Sequence, residues 1–106
     1  MKHIVVFITA SGRREADKIG GALLKKKLAA CVNTVSGVRS RYWWKGKIES
    51  AAECLLVVKT SAGSFPALEK EVRRLHSYTV PEIIAVPVVA GSKAYLEWLS
   101  ASVKSR

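Results

Sequence analysis

Cysteine is scarce in this chain, with Cys31 and Cys54 the two in 106 residues. Two are too few for a disulfide scaffold, and each lies in an apolar run, where a free buried thiol is the ordinary state. Histidine is equally sparse: His3 and His76 cannot make a multi-histidine site within one chain, and no Cys or His pair has zinc-type spacing. No run approaches the roughly 20 apolar residues of a membrane span. The apolar stretch 4–10 is at the bottom of the signal-peptide range and a charged helical segment follows it, so the sequence reads as soluble and cytoplasmic. G-x-S-x-G, P-loop and G-x-G-x-x-G motifs are missing, and no enzymatic reaction is expected. Acidic residues are few, 8 against 18 Lys and Arg, which gives a formal net charge of +10. Such an excess attracts anions, from nucleic acid to lipid head groups and anionic metabolites, without choosing among them.

What remains is an ordinary globular composition, 49% apolar and 25% charged, which excludes disordered, collagen-like and coiled-coil readings. The length allows one domain, residues 1–106. A chain of this size buries only about 65% of its unfolded surface, and oligomerisation is the usual further support.

Along the chain, Ile4-Val5-Val6-Phe7-Ile8 predicts a buried strand. Residues 13–27 predict a helix with Ala16, Ile19 and Leu23 on one stripe. Gly20-Gly21 inside that helix costs roughly 1 kcal/mol per residue against Ala, which points to a close approach by another element. Residues 28–60 read as two long strands turning near Trp44-Lys45-Gly46-Lys47, with Gly37 a candidate bulge. Phe65, Leu68, Val72 and Leu75 define a second amphipathic helix opened by Ser61-Ala62-Gly63-Ser64. Residues 83–89 form another strand, which Pro87 assigns to an edge or a bulge. Ser92 can cap a last helix running to about Val103. The order β-α-β-β-α-β plus a terminal helix predicts an α+β, ferredoxin-like sandwich.

The hairpin is too long for a monomer. About 14 residues per arm at about 3.3 Å give about 45 Å, whereas a compact domain of this size is roughly 34 Å across. The tip, with Tyr42, Trp43 and Trp44, should protrude and expose aromatics on both faces unless a partner covers them, so a homo-oligomer is expected.

Strand alternation sets Ser40, Tyr42 and Trp44 on one face and Arg39, Arg41 and Trp43 on the other, while Glu49, Glu53 and Lys59 share parity on the returning strand. Glu53 and Lys59 within a mostly apolar strand require a partner, either a salt bridge at a subunit interface or a bound ligand. The segment His76-Ser77-Tyr78-Thr79-Val80-Pro81-Glu82 gathers an imidazole, a phenol and a carboxylate. His76 suits Cu(II), Zn(II) or Ni(II), and equally suits a helix C-terminus, where the dipole favours it. Ser11-Gly12-Arg13-Arg14 at a helix start reads as an anion-holding turn or a solvated basic one.

Taken together, Leu28-Ala29-Ala30-Cys31-Val32-Asn33, Ser40-x-Tyr42-x-Trp44-x-Gly46, Glu53, Lys59-Thr60, His76-x-Tyr78-x-x-Pro81-Glu82-Ile83 and Tyr95-Leu96-x-Trp98-Leu99 resemble the CutA divalent-cation-tolerance family. The resemblance implies a homotrimer of PII-like architecture, cytoplasmic, linked to tolerance of divalent metal cations, with copper (Cu2+) the suspected ligand and no obligatory cofactor. It also implies inter-subunit clefts that take a metal or a small anion. Carried onto this chain, the cleft residues are Tyr42, Trp44, Glu53, Lys59, Tyr78 and Glu82, with His76 and Cys31 as candidate metal ligands. Some members carry a Cys at the end of the first strand and two adjacent His before the Tyr. Ile8 and Leu75-His76 stand there instead, so one of three such ligands is present, and Ser77 replaces the usual Pro.

Two other classes compete. RNA-recognition domains share the βαββαβ order, and Arg39-Ser40-Arg41-Tyr42-Trp43-Trp44-Lys45 interleaves basic and aromatic residues, but the RNP1 pattern is absent and alternation splits the segment between faces. An acylphosphatase-like enzyme at residues 11–14 would rest on fold analogy alone.

Overall fold

The structure, a computed structural model, describes residues 2–104. Its elements are strand β1 (His3–Ala10), helix α1 (Arg13–Lys25), strands β2 (Cys31–Trp44) and β3 (Lys47–Ser61), a 3-10 turn (Ala62–Ser64), helix α2 (Phe65–Leu75), strand β4 (Ile83–Pro87) and helix α3 (Lys93–Ser102). The four strands form one sheet in the order β2-β3-β1-β4, every neighbouring pair antiparallel. This is the expected α+β, ferredoxin-like order with an added C-terminal helix.

One face of the sheet carries the core. Even-numbered residues of β1 (Ile4, Val6, Ile8, Ala10) and of β3 (Cys54, Leu56, Val58) pack against Ala16, Ile19 and Leu23 of α1 and Leu68 and Val72 of α2. Thr60, on the same face, donates its hydroxyl to the Leu28 carbonyl at 2.6 Å, so its burial leaves no polar group unpaired. The opposite face is covered only at one end. There His3 Nε2 meets Ser100 Oγ of α3 at 2.7 Å, and Leu99 is buried. Farther along, Val35, Ile84 and Val86 stay exposed.

The glycine pair in α1 divides by role. A Cβ on Gly20 would stand 3.2 Å from Val32 Cγ1, whereas one on Gly21 would meet nothing within 4 Å. The close approach inferred from sequence is therefore the crossing of α1 over β2, and it concerns Gly20 alone. Gly21→Ala is expected to stabilise the protein by about 0.5–1 kcal/mol. Gly20→Ala forgoes that gain because Val32 must shift, leaving it at least about 1 kcal/mol behind. Paired thermal melts of the two variants measure the difference.

Helix α1 stops at Lys25, two residues earlier than its pattern suggests, because Lys27 turns left-handed (φ 56°) and the Leu28 amide bonds back to the Leu23 carbonyl at 2.9 Å. Strand β4 ends at Pro87, two residues short of expectation, on the edge of the sheet where a residue without N–H is tolerated. Ser92 caps α3 as its position implies, accepting the Tyr95 amide at 3.2 Å.

The hairpin dominates the shape: the molecule measures 44 × 25 × 22 Å. Its turn has Lys45 at φ 51° and Gly46 at φ 78°, both positive as in the two-residue turn that matches strand twist. Between Val35 and Val38 the ladder with β3 slips by a bulge, with Gly37 at φ 79°. The extra residue changes which parity of β2 faces the open side of the sheet. Before the bulge Cys31, Asn33 and Val35 face that side, opposite Lys59, Val57 and Leu55; after it Val38, Ser40, Tyr42 and Trp44 do, and Val38 lies opposite Glu53.

Candidate functional site

Strand β1 runs out at Ala10, whose partner is Cys54. Glu53 is therefore the first β3 residue with no β1 neighbour, and the segment 76–82 occupies the space beside it. Tyr78 donates its hydroxyl to Glu53 Oε2 at 2.8 Å. Burial, reinforced by the bond to Glu53, pushes the Tyr78 phenol up to about 12, so it stays a donor throughout the physiological range. Glu53 is buried, and its partner within the chain is this phenol. Between the hairpin and the 77–82 loop opens a cleft of about 860 Å³. Tyr42, Trp44, Glu53, Tyr78 and Glu82 all line it, together with Thr9, Arg39, Arg41, Val80 and Pro81.

His76 stands behind the cleft. Its side chain is fully buried, its Nε2 donates to the Thr9 carbonyl at 2.7 Å, and its Nδ1 accepts the Tyr78 amide at 3.1 Å. A carbonyl only accepts and an amide N–H only donates, so both nitrogens are committed and the tautomer is fixed. No lone pair is left for a metal. In this arrangement the imidazole bridges the end of β1 to the loop and sets the Tyr78 ring, 4.8 Å away between centroids.

Glu15 secures the same loop from α1, accepting the Ser11 amide at 2.9 Å and the Ser77 amide at 2.8 Å. Burial raises its carboxyl, but the hydrogen bonds from Ser11 and Ser77 outweigh it and lower it to about 2. In α2, Glu71, covered by its partners, is also held at about 2, by hydrogen bonds from Arg74 and then Lys26. Both carboxyls lie below the ordinary value of 4.5 when folded, so the unfolded chain takes up protons first as pH drops. The stability they contribute is complete above about 4.5 and is lost as pH falls towards about 2. Thermal melts across that window should show a falling midpoint, and Glu71→Gln should flatten part of the fall.

Cys31 and Lys59 lie elsewhere. They face each other across the β2–β3 ladder, six residues down β3 from Glu53, which is about 20 Å at strand rise. Lys59 Nζ donates to Asn33 Oδ1, which also takes the Cys31 thiol at 3.8 Å. Tyr95 of α3 is close by, its phenol raised by burial first and by Cys31 second. A cationic Lys59 beside the thiol opposes a divalent cation there. Among the described residues no three of His, Cys, Asp and Glu converge on a common point. One chain's donors thus do not fit a copper site at His76 or Cys31.

Sequence reasoning missed Thr9 and Glu15. Thr9 acts through its backbone carbonyl, which no side-chain pattern reveals. Glu15 had a signal, since Ser11 and Glu15 are spaced so that a first-turn carboxylate can reach back to the amide before the helix.

Sheet order, the core on one face and the overlong second and third strands define the class: ferredoxin-like α+β proteins whose hairpin projects beyond the sandwich and walls a cleft. Within that class the chain belongs to the CutA1 divalent ion tolerance protein family, whose pattern it matches over residues 4–102. It is 44% identical over 102 residues to a divalent-cation tolerance protein CutA of Archaeoglobus fulgidus, covering 96% of this chain and 99% of that one. It is 47% identical over 95 residues to the CutA of Thermus thermophilus, covering 90% and 92%. It is also 44% identical over 101 residues to a chloroplastic CutA 1 of rice, spanning 95% of this chain but only 57% of that protein's length. A solved CutA1 from Oryza sativa superposes with a TM-score of 0.97 at 42% identity, covering 100% of this chain and 97% of that one. The Cut A1 structure from Thermus thermophilus gives 0.95 at 44%, covering 96% and 99%.

Proposed function

We propose that this chain works as a homotrimer in divalent-cation tolerance, each hairpin cleft being completed by the neighbouring subunit and taking up a small ligand or a cation. The observation that carries the reading is the open face of the sheet. Val35, Ile84 and Val86 are exposed there in a single chain, next to a hairpin whose Trp43, Trp44 and Ile48 are also uncovered. A contiguous apolar face of this kind marks an interaction site. The chain's own partners already satisfy His76, which favours a ligand held by the walls of the cleft over copper held by this imidazole. Any cation entering the cleft meets the carboxylates of Glu53 and Glu82, with further donors supplied by the second chain.

The role is one of binding, in keeping with a family named for cation tolerance. The free thiols of Cys31 and Cys54 support a reducing, cytoplasmic setting. The nucleic-acid reading finds little platform, because Val35, Ile84 and Val86 on the open sheet face are aliphatic and the exposed rings of that face, Tyr42 and Trp44, lie out on the hairpin where they line the cleft. Sedimentation equilibrium tests the assembly. Three times the chain mass is expected at micromolar concentration, and a single chain mass would sink the proposal.

A further inference from the structure

Glu53 has one oxygen uncommitted. The residue is only 6% exposed, yet it stands in the wall of the cleft. Its Oε2 is engaged by the Tyr78 hydroxyl at 2.8 Å. Among the described residues nothing donates to Oε1, and no Lys, Arg or His nitrogen lies at ion-pair distance from this carboxylate. Nor is any fully enclosed side-chain oxygen or nitrogen left without a partner among those residues, so Oε1 opens onto the cleft. A carboxylate this deeply buried, with one oxygen bare, is costly to hold unless a cation meets it.

We infer that the cleft seats a small primary amine with an apolar body, its ammonium donating to Glu53 Oε1. This rests on the reading of the hairpin cleft as a ligand site and gives that ligand a chemistry. The head group is selected by what Glu53 offers. An anion is repelled by the carboxylate. A divalent metal needs several donors at once, and among the described residues no three of His, Cys, Asp and Glu converge. A guanidinium binds a carboxylate best through both oxygens, but Tyr78 keeps Oε2, its phenol held up at about 12 by burial first and by Glu53 second. A quaternary ammonium has no N–H to give. The walls select the body. Tyr42 shares a face of β2 with Val38, the residue opposite Glu53, and its ring can take part of the positive charge. Trp44 already has Lys45 Nζ 5.9 Å from its ring centroid, so with Val80 and Pro81 it supplies apolar wall rather than a second cation seat. Arg39 and Arg41 border the same cleft from the opposite parity of β2; beside exposed Glu82 they oppose a polycation and favour a ligand with a single positive charge.

The test is calorimetric titration of phenethylamine into the whole protein at neutral pH. Phenethyl alcohol, 3-phenylpropionate and phenethyltrimethylammonium run beside it, because they keep the ring and change the head. Saturable binding of the amine is expected, at least about tenfold tighter than that of any of the others. This comparison needs no variant. Glu53→Gln keeps an acceptor for Tyr78 but removes the charge, and should weaken the amine at least about tenfold while leaving the alcohol within about twofold. Glu97→Gln makes the same change in formal charge on α3 and should leave the amine within about twofold. Thermal melts verify that both variants fold. No uptake of the amine, equal uptake of amine and alcohol, or an amine isotherm indifferent to Glu53→Gln in a folded protein would overturn the inference. Sedimentation of the same samples separates that failure from failure of the cleft reading. Three chain masses without amine uptake strike the amine alone and hand Glu53 to a cation of the neighbouring copy. Amine uptake by a single chain would uphold the amine and sink the trimer.

Discussion

His76→Ala is expected to destabilise the folded protein by about 2–4 kcal/mol and to leave its copper isotherm unchanged. The side chain is fully buried and closes two bonds at once, to the Thr9 carbonyl at 2.7 Å and from the Tyr78 amide at 3.1 Å. Truncation strands both backbone groups and opens a void between β1 and the loop. Each stranded group costs about 1–3 kcal/mol, less where water can enter. Against a total stability of about 5–15 kcal/mol this is a large fraction. His76→Gln should recover part of the loss, because its amide can donate to the Thr9 carbonyl. Chemical denaturation of the three proteins beside a Cu(II) titration decides the matter. A variant that melts like wild type but no longer binds copper would return His76 to the role of ligand.

Ile84→Arg should leave the chain folded and reduce the proposed trimer to single chains. Ile84 pairs with Phe7 on the open face and is 54% exposed in the isolated subunit, so within one chain the guanidinium stays in water. Buried between copies without a partner, the same charge would cost several kcal/mol per subunit. The adjacent residue is the control. Ile83 turns to the other face and packs against the core, so Ile83→Arg should unfold the chain. Sedimentation and circular dichroism together separate the outcomes. An Ile84→Arg protein that still sediments as three chains would show that this face is not the interface.

The order of elements was legible because each has a local cause. The β-branched run 4–8, the heptad-like spacing of Phe65 to Leu75, the Lys45-Gly46 turn and the Ser92 cap all act over a few residues. The hairpin length gave the protrusion by arithmetic, and the long axis of 44 Å agrees. The cleft was only partly legible. Alternation grouped Tyr42 with Trp44 and Glu53 with Lys59, but uniting Tyr42 with Glu53 depends on the register of the turn, which sets Trp44 opposite Lys47, Tyr42 opposite Glu49 and Val38 opposite Glu53. The pairing of Tyr78 with Glu53 depends on where β1 stops relative to β3, a matter of register between segments some fifty residues apart in sequence. Lys59 and, through the bulge, Cys31 share a face with the cleft residues but not a place, since a face says nothing of distance along it.

Strand β2 lies at the outer margin of the sheet, hydrogen-bonded on one side only over its 14 residues. Its free side is a row of unsaturated amides and carbonyls, the template on which foreign strands add and fibrils grow. The bulge at Gly37 breaks the repeat of that row, and Arg39 and Arg41 place like charges along its distal half, with Lys45 in the turn just beyond. A second β2 laid alongside would bring those charges face to face. The basic residues that look in sequence like half of a recognition motif thus also act as gatekeepers, keeping a long, sticky ribbon from propagating before its proper neighbours arrive.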